Sequence, residues 1–188
     1  MKQKNLSRVF PLFGCDVSIA AFMGAVLLSA LCARATDNRA PDLSASNLTN
    51  LVPPGGTNKV HFHVYAIGLQ IYHWDATLST WGASTPSAVL LDGDGNVVGS
   101  HYAGPTWESN SGSTVRGVRI AASTPDSTAI PWLLLQAFPQ TDSGIFAPTT
   151  YIQRVNTVGG KAPSRSGAFD GEEFNSAYTA EYFFYREK

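Results

Sequence analysis

The side chains best suited to chemistry in this sequence are its four histidines, His61, His63, His73 and His101. His61 and His63 are separated by one residue, so on a β-strand they point to the same face. Two neutral imidazoles on one face can supply two ligands to a zinc or copper ion. The sequence therefore allows a His-ligated metal site at His61 and His63, completed by His73 or His101. A solvated strand face explains the same pair equally simply.

His101 lies at the end of a predicted strand, beside a Gly104-Pro105 turn and close in sequence to Trp107. An imidazole in that position can act as a general acid or base. It can also orient a ligand that stacks on the indole of Trp107. The alternative is a histidine hydrogen-bonded to a loop backbone, next to a tryptophan that only fills the end of the core.

Polar side chains also interrupt predicted strands that are otherwise apolar, at Gln70, Tyr72, Gln153 and Arg154. Together they could line one end of a barrel, although a buried network that only fixes the fold has the same composition. The predicted ligand-binding residues are His101, Trp107, Gln70, Tyr72 and Arg154.

The elements that must position these residues are strands. Apolar Val60, Phe62 and Val64 alternate with polar neighbours, and this period of two is typical of half-buried strands. Beyond residue 36 no stretch keeps a helical period over three turns. The pattern predicts an all-β domain of eight or nine antiparallel strands, either a β-sandwich or a small β-barrel. The predicted strands lie within 59–72, 87–92, 96–102, 114–121, 129–137, 149–156 and 177–185.

The composition excludes several classes of function. The chain has 188 residues, 14% of them charged, and a net charge of −1, so it lacks the basic patch of a nucleic-acid-binding protein. No Ser-His-Asp arrangement can be assigned, and Asp92-Gly93-Asp94-Gly95-Asn96 has too few ligands for a calcium loop. That segment instead predicts a hairpin turn. The sequence leaves both catalysis and any cofactor open.

The first 35 residues have the order of a secretory signal peptide. Lys2, Lys4 and Arg8 precede an apolar run over 17–33, and Ala33-Arg34-Ala35 supplies a small-x-small cleavage site. An uncleaved membrane anchor is the alternative, since the run is barely long enough to span a bilayer. The predicted organisation is a signal peptide over 1–35, a flexible leader over 36–56 and a β domain over 57–188. Secretion or a periplasmic location follows, with no stable membrane span after cleavage.

Several segments of the predicted domain carry a family resemblance: 68–72, 99–107, 129–135, 151–157 with 159–160, and 178–182. Together they resemble the DUF3455 family, secreted proteins of unknown function from bacteria and fungi. The resemblance implies export and one β-rich domain, and it implies no particular activity. Relatives often carry one cysteine near the position of Trp74 and another near Gly167, which would fit a disulfide replaced here as a pair.

The sequence favours a non-enzymatic ligand-binding or envelope-associated exported protein. Its partner would be a small molecule, a glycan or an envelope component. Two alternatives remain: a metal-dependent enzyme of redox or hydrolytic type that uses His61 and His63, and a structural or stress-related surface protein.

Overall fold

Nine antiparallel strands form one sheet in the described part of this computed structural model, residues 40–43 and 48–188. The only helical element there is a 3-10 turn, Thr49–Leu51. The all-β prediction is confirmed, whereas the predicted signal peptide lies outside the described residues. The strands are β1 (Asn58–Asp75), β2 (Thr80–Trp81), β3 (Thr85–Leu91), β4 (Val97–Tyr102), β5 (Thr106–Ser109), β6 (Thr114–Ser123), β7 (Trp132–Pro139), β8 (Tyr151–Gly159) and β9 (Glu173–Glu187).

The sheet closes on itself. Each strand from β3 to β9 pairs with the next along the chain, and β1 pairs with both β3 and β9. The β1–β9 ladder is long and runs from Asn58 opposite Glu187 to His73 opposite Glu173. Eight strands therefore form a closed barrel, while β2 only extends the end of β1. Of the two predicted architectures, the structure has the small barrel.

Alternation along the strands decides which side chains enter the barrel. Val64 and Ala66 of β1 point inward and are buried, whereas Ile67 points outward and is half exposed. A register shift between Val60 and Phe62 breaks this alternation at the start of β1. Because of that bulge Val60 packs on the outside of the barrel, although the sequence pattern had grouped it with Phe62 and Val64.

Three phenylalanines fill one end of the interior. Phe62 and Phe184 come from adjacent strands, and Phe146 enters from the β7–β8 connection. The ring centroids of Phe146 and Phe184 are 4.7 Å apart, and that of Phe62 lies 5.8 Å from both. We call Phe62, Phe146 and Phe184 the apolar end of the barrel.

The opposite end is covered by the connections that follow β1, β4, β6 and β8. Ile130, from the β6–β7 connection, joins the core. Trp74 packs directly on Gly167 of the β8–β9 connection, where a Cβ atom would come within 2.2 Å of the indole. The two positions at which the family resemblance implied a paired replacement are thus in contact. A glycine is required at 167 because any side chain there would overlap Trp74.

The segment before β1 packs on the outside of the barrel. Leu51 is fully buried, and its carbonyl oxygen accepts a 2.7 Å hydrogen bond from Gln153 Nε2. Tyr185 donates its hydroxyl proton to Gln153 Oε1 at 2.8 Å. Leu43 packs on the cluster formed by Val60 and its neighbours. The described residues of the predicted leader therefore contact β8 and β9, and the domain boundary at residue 57 stays a prediction.

In the described part of the chain, no helix is long and apolar enough to cross a membrane.

Candidate functional site

A cavity of about 260 Å³ lies inside the barrel, next to the apolar end. Four of the five predicted ligand-binding residues line it: Gln70, His101, Trp107 and Arg154. Tyr182 of β9 also lines it, and sequence reasoning had not selected that residue. We call these five residues the polar end of the barrel.

Strand register explains why these side chains meet. His101 and Trp107 are directly opposite each other on β4 and β5, and Arg154 is opposite Tyr182 on β8 and β9. Residues opposite each other in an antiparallel pair point to the same face, which here is the interior. Gly117 of β6 leaves room for the indole, because a Cβ atom there would lie 3.0 Å from Trp107.

Trp107 is not the exposed stacking platform that the sequence suggested. It lies in β5, a strand that the sequence pattern had missed, and only 1% of it is exposed. One of its faces is covered by His101, with ring centroids 4.2 Å apart and planes 9° from parallel. Its Nε1 is buried without a hydrogen-bond partner. Trp107 therefore has no exposed ring face on which a ligand could stack.

The imidazole of His101 is neutral in the folded protein. Burial lowers its pKa to about 3; the hydrogen bond to Thr106 opposes this shift and the charge of Arg154 adds to it. Nδ1 lies 2.8 Å from the carbonyl oxygen of Thr106, so Nδ1 carries the proton and donates it. Nε2 is left as the acceptor of the ring. The sequence had allowed such a backbone bond as the alternative to an acid–base role.

Buried polar atoms without partners concentrate around this cavity. They are Gln70 Nε2, Trp107 Nε1 and the hydroxyl of Tyr182, joined by the hydroxyl of neighbouring Tyr178. Burial raises the pKa values of Tyr178 and Tyr182, and side-chain hydrogen-bond interactions with each other, of Tyr178 with Gln70 and of Tyr182 with Arg154, also shift them. These groups therefore lie close together, although none of the contacts has the geometry of a normal hydrogen bond. The amide oxygen of Gln70 does have a partner, because the hydroxyl of Ser84 donates a hydrogen bond to Oε1 at 2.6 Å. An unpaired buried polar group costs about 1–3 kcal/mol, so four together need an explanation.

Arg154 brings a positive charge to the same cavity. Its Nε and Nη2 donate to the carbonyl oxygen of Pro131 at 3.1 and 2.8 Å. The ion pairs found among the described residues, His63–Glu181 and Arg165–Glu172, do not include it. No Asp or Glu occurs among the described residues that line the cavity. The half-buried guanidinium is therefore held by a carbonyl dipole and lacks a neighbouring carboxylate.

A second, wider cleft of about 820 Å³ adjoins the cavity. Since β5 is much shorter than β6, the part of β6 beyond Arg116 has no strand partner on that side. Arg116 and Arg119 line the cleft, and again none of its described lining residues is acidic. The cleft thus connects the cavity to the surface. The lining residues shared by cavity and cleft are Ala83, Gly104, Pro105, Leu133 and Leu135.

Tyr72, the fifth predicted ligand-binding residue, does not line the cavity. Its ring is buried further along β1, and its hydroxyl donates to the carbonyl oxygen of Gly160 at 2.7 Å. This bond ties the β8–β9 connection to β1. Tyr72 therefore fixes the cover of the barrel, and its hydroxyl is already paired.

The histidines proposed as metal ligands do not form one site. His61 contacts Thr149 Oγ1 at 3.1 Å, whereas His63 contacts Glu181 Oε2 at 3.0 Å on the outside of the barrel. His73 is exposed and His101 is inside the barrel. Among the described residues no group of three or more His, Cys, Asp or Glu could hold a metal ion. The structure therefore does not assemble the proposed three-histidine centre.

These features define a closed antiparallel β-barrel with a polar, positively charged cavity at one end of its interior. The model of the DUF3455 family, whose description is 'protein of unknown function', matches residues 54–186 of the chain. The chain belongs to this family, and the resemblance seen in the sequence is confirmed. Nothing among the curated proteins or the solved structures matches the chain.

Proposed function

We propose that this protein is an exported, non-enzymatic binding protein that holds a small organic molecule at the polar end of its barrel. The observation that carries the proposal is a group of buried polar atoms without partners, three of which belong to residues that line the cavity: Gln70, Trp107 and Tyr182. A bound molecule would supply those partners, and the adjoining cleft gives it a path from the surface. Binding sites with a few convergent polar groups in an apolar wall have this character.

Binding is favoured over catalysis by the state of His101. With a pKa of about 3, its imidazole is a weak base at neutral pH. Its Nδ1 donates to the Thr106 carbonyl, and among the described residues no hydrogen bond joins the acceptor Nε2 to a hydroxyl or thiol that it could activate. The groups that face the cavity are suited to orienting a ligand.

Export is proposed from the sequence alone. A basic start, an apolar run and Ala33-Arg34-Ala35 precede the folded residues. N-terminal sequencing of protein recovered from the export compartment should begin at Thr36. A chain that starts at Met1 and stays with the cell interior would contradict this part of the proposal.

Binding is tested by screening neutral and charged small organic molecules with ligand-observed NMR. Ala83 is exposed and lines both cavity and cleft, so Ala83→Trp should block entry without disturbing the core. We expect hits on the native protein that Ala83→Trp weakens at least tenfold. Ala76→Trp, in an exposed turn away from the cleft, is the matched control and should bind as the native protein does. Molecules that bind Ala83→Trp as tightly as the native protein, or the absence of any binding molecule, would favour the structural surface-protein alternative.

A further inference from the structure

The partners missing from the polar end are hydrogen-bond acceptors. Indole Nε1 and the amide nitrogen of a glutamine can only donate, and a guanidinium has five N–H donors and no acceptor. Trp107 Nε1 and Gln70 Nε2 are both buried without a partner, and Arg154 lies on the same cavity. A ligand group that satisfies all three must present several acceptor positions at one point.

The protein supplies no counter-ion of its own for Arg154 in this cavity. Burial raises the pKa of Tyr182 and of Tyr178 despite the opposing charge of Arg154, so both phenols stay protonated at neutral pH. His101 is neutral, and no carboxylate lines the cavity or the cleft among the described residues. The negative charge must therefore come from the ligand, since leaving a partly buried cation unpaired is costly.

The shape of the site limits the rest of the ligand. The cavity of about 260 Å³ has room for roughly nine water molecules at about 30 Å³ each, which suits one ring or a short chain. Its non-polar lining includes Pro86, Leu133 and Leu135. Arg154 is the one cation among the described residues that line the cavity. It can balance a ligand with a single negative charge, but not a doubly charged phosphate.

From this geometry we propose that the ligand is a compact monocarboxylic acid with an apolar body, whose carboxylate binds Arg154, Trp107 Nε1 and Gln70 Nε2. A carboxylate offers about four acceptor positions and matches the planar guanidinium. Arg116 and Arg119 along the cleft attract the acid toward the cavity. This assignment rests on the proposed binding function and names the class of ligand for it.

Benzoate and its neutral analogue benzamide provide the test, because they have nearly the same shape and differ in charge. Binding of each to the mature protein is measured by calorimetry and by tryptophan fluorescence, with Trp107→Phe used to identify the contribution of Trp107. We expect benzoate to bind at least tenfold more tightly than benzamide. Arg154→Gln should lower the affinity for benzoate at least thirtyfold, and Arg165→Gln, at a surface ion pair, should leave it unchanged.

A second pair of variants separates ligand binding from folding. The hydroxyl of Tyr182 has no partner, so Tyr182→Phe should fold normally and weaken benzoate three- to tenfold. The hydroxyl of Tyr185 bonds to Gln153 outside the barrel, so Tyr185→Phe should lower stability and leave benzoate affinity unchanged. This pair keeps the test valid even where Arg154→Gln does not fold.

The outcomes distinguish the class of ligand from the binding function. Equal affinities for benzoate and benzamide, or benzoate binding that survives both Arg154→Gln and Tyr182→Phe, would overturn the carboxylate assignment. If neutral molecules bind and Ala83→Trp blocks them while benzoate does not bind, the binding function stands and the carboxylate assignment is overturned. If neither class binds, both proposals are overturned.

Discussion

The two ends of the barrel interior are built on the same strands and have opposite characters. At the apolar end, Phe62, Phe146 and Phe184 interlock with ring centroids 4.7–5.8 Å apart. Two residues earlier on β9, Tyr182 begins the polar end, where buried polar atoms lack partners. One end therefore contributes packing energy, and the other keeps unsatisfied groups around a cavity. The interior thus combines a well-packed half with a half whose unsatisfied groups support the proposed binding function.

The largest effect should come from the apolar end. Phe184→Ala removes a fully buried ring from the centre of the phenylalanine cluster, so we expect a loss of about 3–5 kcal/mol in the free energy of unfolding. Phe169→Ala is the control, because Phe169 is 65% exposed, and it should cost little. Urea unfolding measures both. If Tyr182→Phe cost as much as Phe184→Ala, the two ends would not differ in the way described.

The polar end should instead make stability depend on pH. The pKa of His101 is lowered to about 3 in the folded protein, whereas an unfolded histidine titrates near 6.5. Between these two pKa values the unfolded chain binds the proton more readily than the folded chain does. The stability that His101 contributes therefore falls as the pH drops from about 6.5 toward 3.

Between pH 7 and pH 4 the loss from His101 should be roughly 3 kcal/mol. His101→Gln removes this titration and should flatten the pH dependence of unfolding by about that amount. The half-buried His61, whose pKa falls to about 4 through burial and then the charge of Arg186, acts in the same direction and remains in both proteins. Identical pH profiles for the native protein and His101→Gln would show that the pKa of His101 does not change on folding.

A smaller effect is expected where the connections cover the barrel. Gly167→Ala would place a methyl group against Trp74, so the β8–β9 connection must move, at a cost of about 1–3 kcal/mol. Gly82→Ala is the control, since the nearest atom to its added methyl would be 3.5 Å away. Thermal unfolding distinguishes them. If Gly167→Ala left the thermal stability unchanged, the connections that cover the barrel would adapt freely and would not confine the cavity.

The sequence predicted strands and candidate side chains better than it predicted their assembly. Alternation identified Phe62 and Val64 of β1 as core positions but wrongly grouped Val60 with them. Of the four polar residues that interrupt apolar strands, Gln70 and Arg154 line the cavity, whereas Tyr72 and Gln153 do not. Tyr182 was missed because an alternating tyrosine looks the same whether its hydroxyl meets solvent or a cavity. That Tyr182 lies opposite Arg154 follows only from the register of β8 with β9, which the sequence pattern does not give.

Other features depended on long-range geometry that no local pattern carries. Strand β5 has four residues and no repeating alternation, so Trp107 looked like a loop residue. His61 and His63 do share a strand, but each contacts a different partner from a distant segment, Thr149 and Glu181 respectively. Barrel closure likewise depends on β1 meeting β9, the two ends of the domain.

The pairing of the first long strand with the last has a consequence for biosynthesis. Until β9 is made, β1 lacks its longest ladder, from Asn58–Glu187 to His73–Glu173, and the interior stays open to water. The chain emerges from the ribosome N-terminus first, so the barrel is unable to close before nearly its whole length is available. Contacts this distant in sequence also form slowly. Late closure of the barrel is compatible with the proposed export, and a chain truncated before Glu173 has no route to a closed barrel.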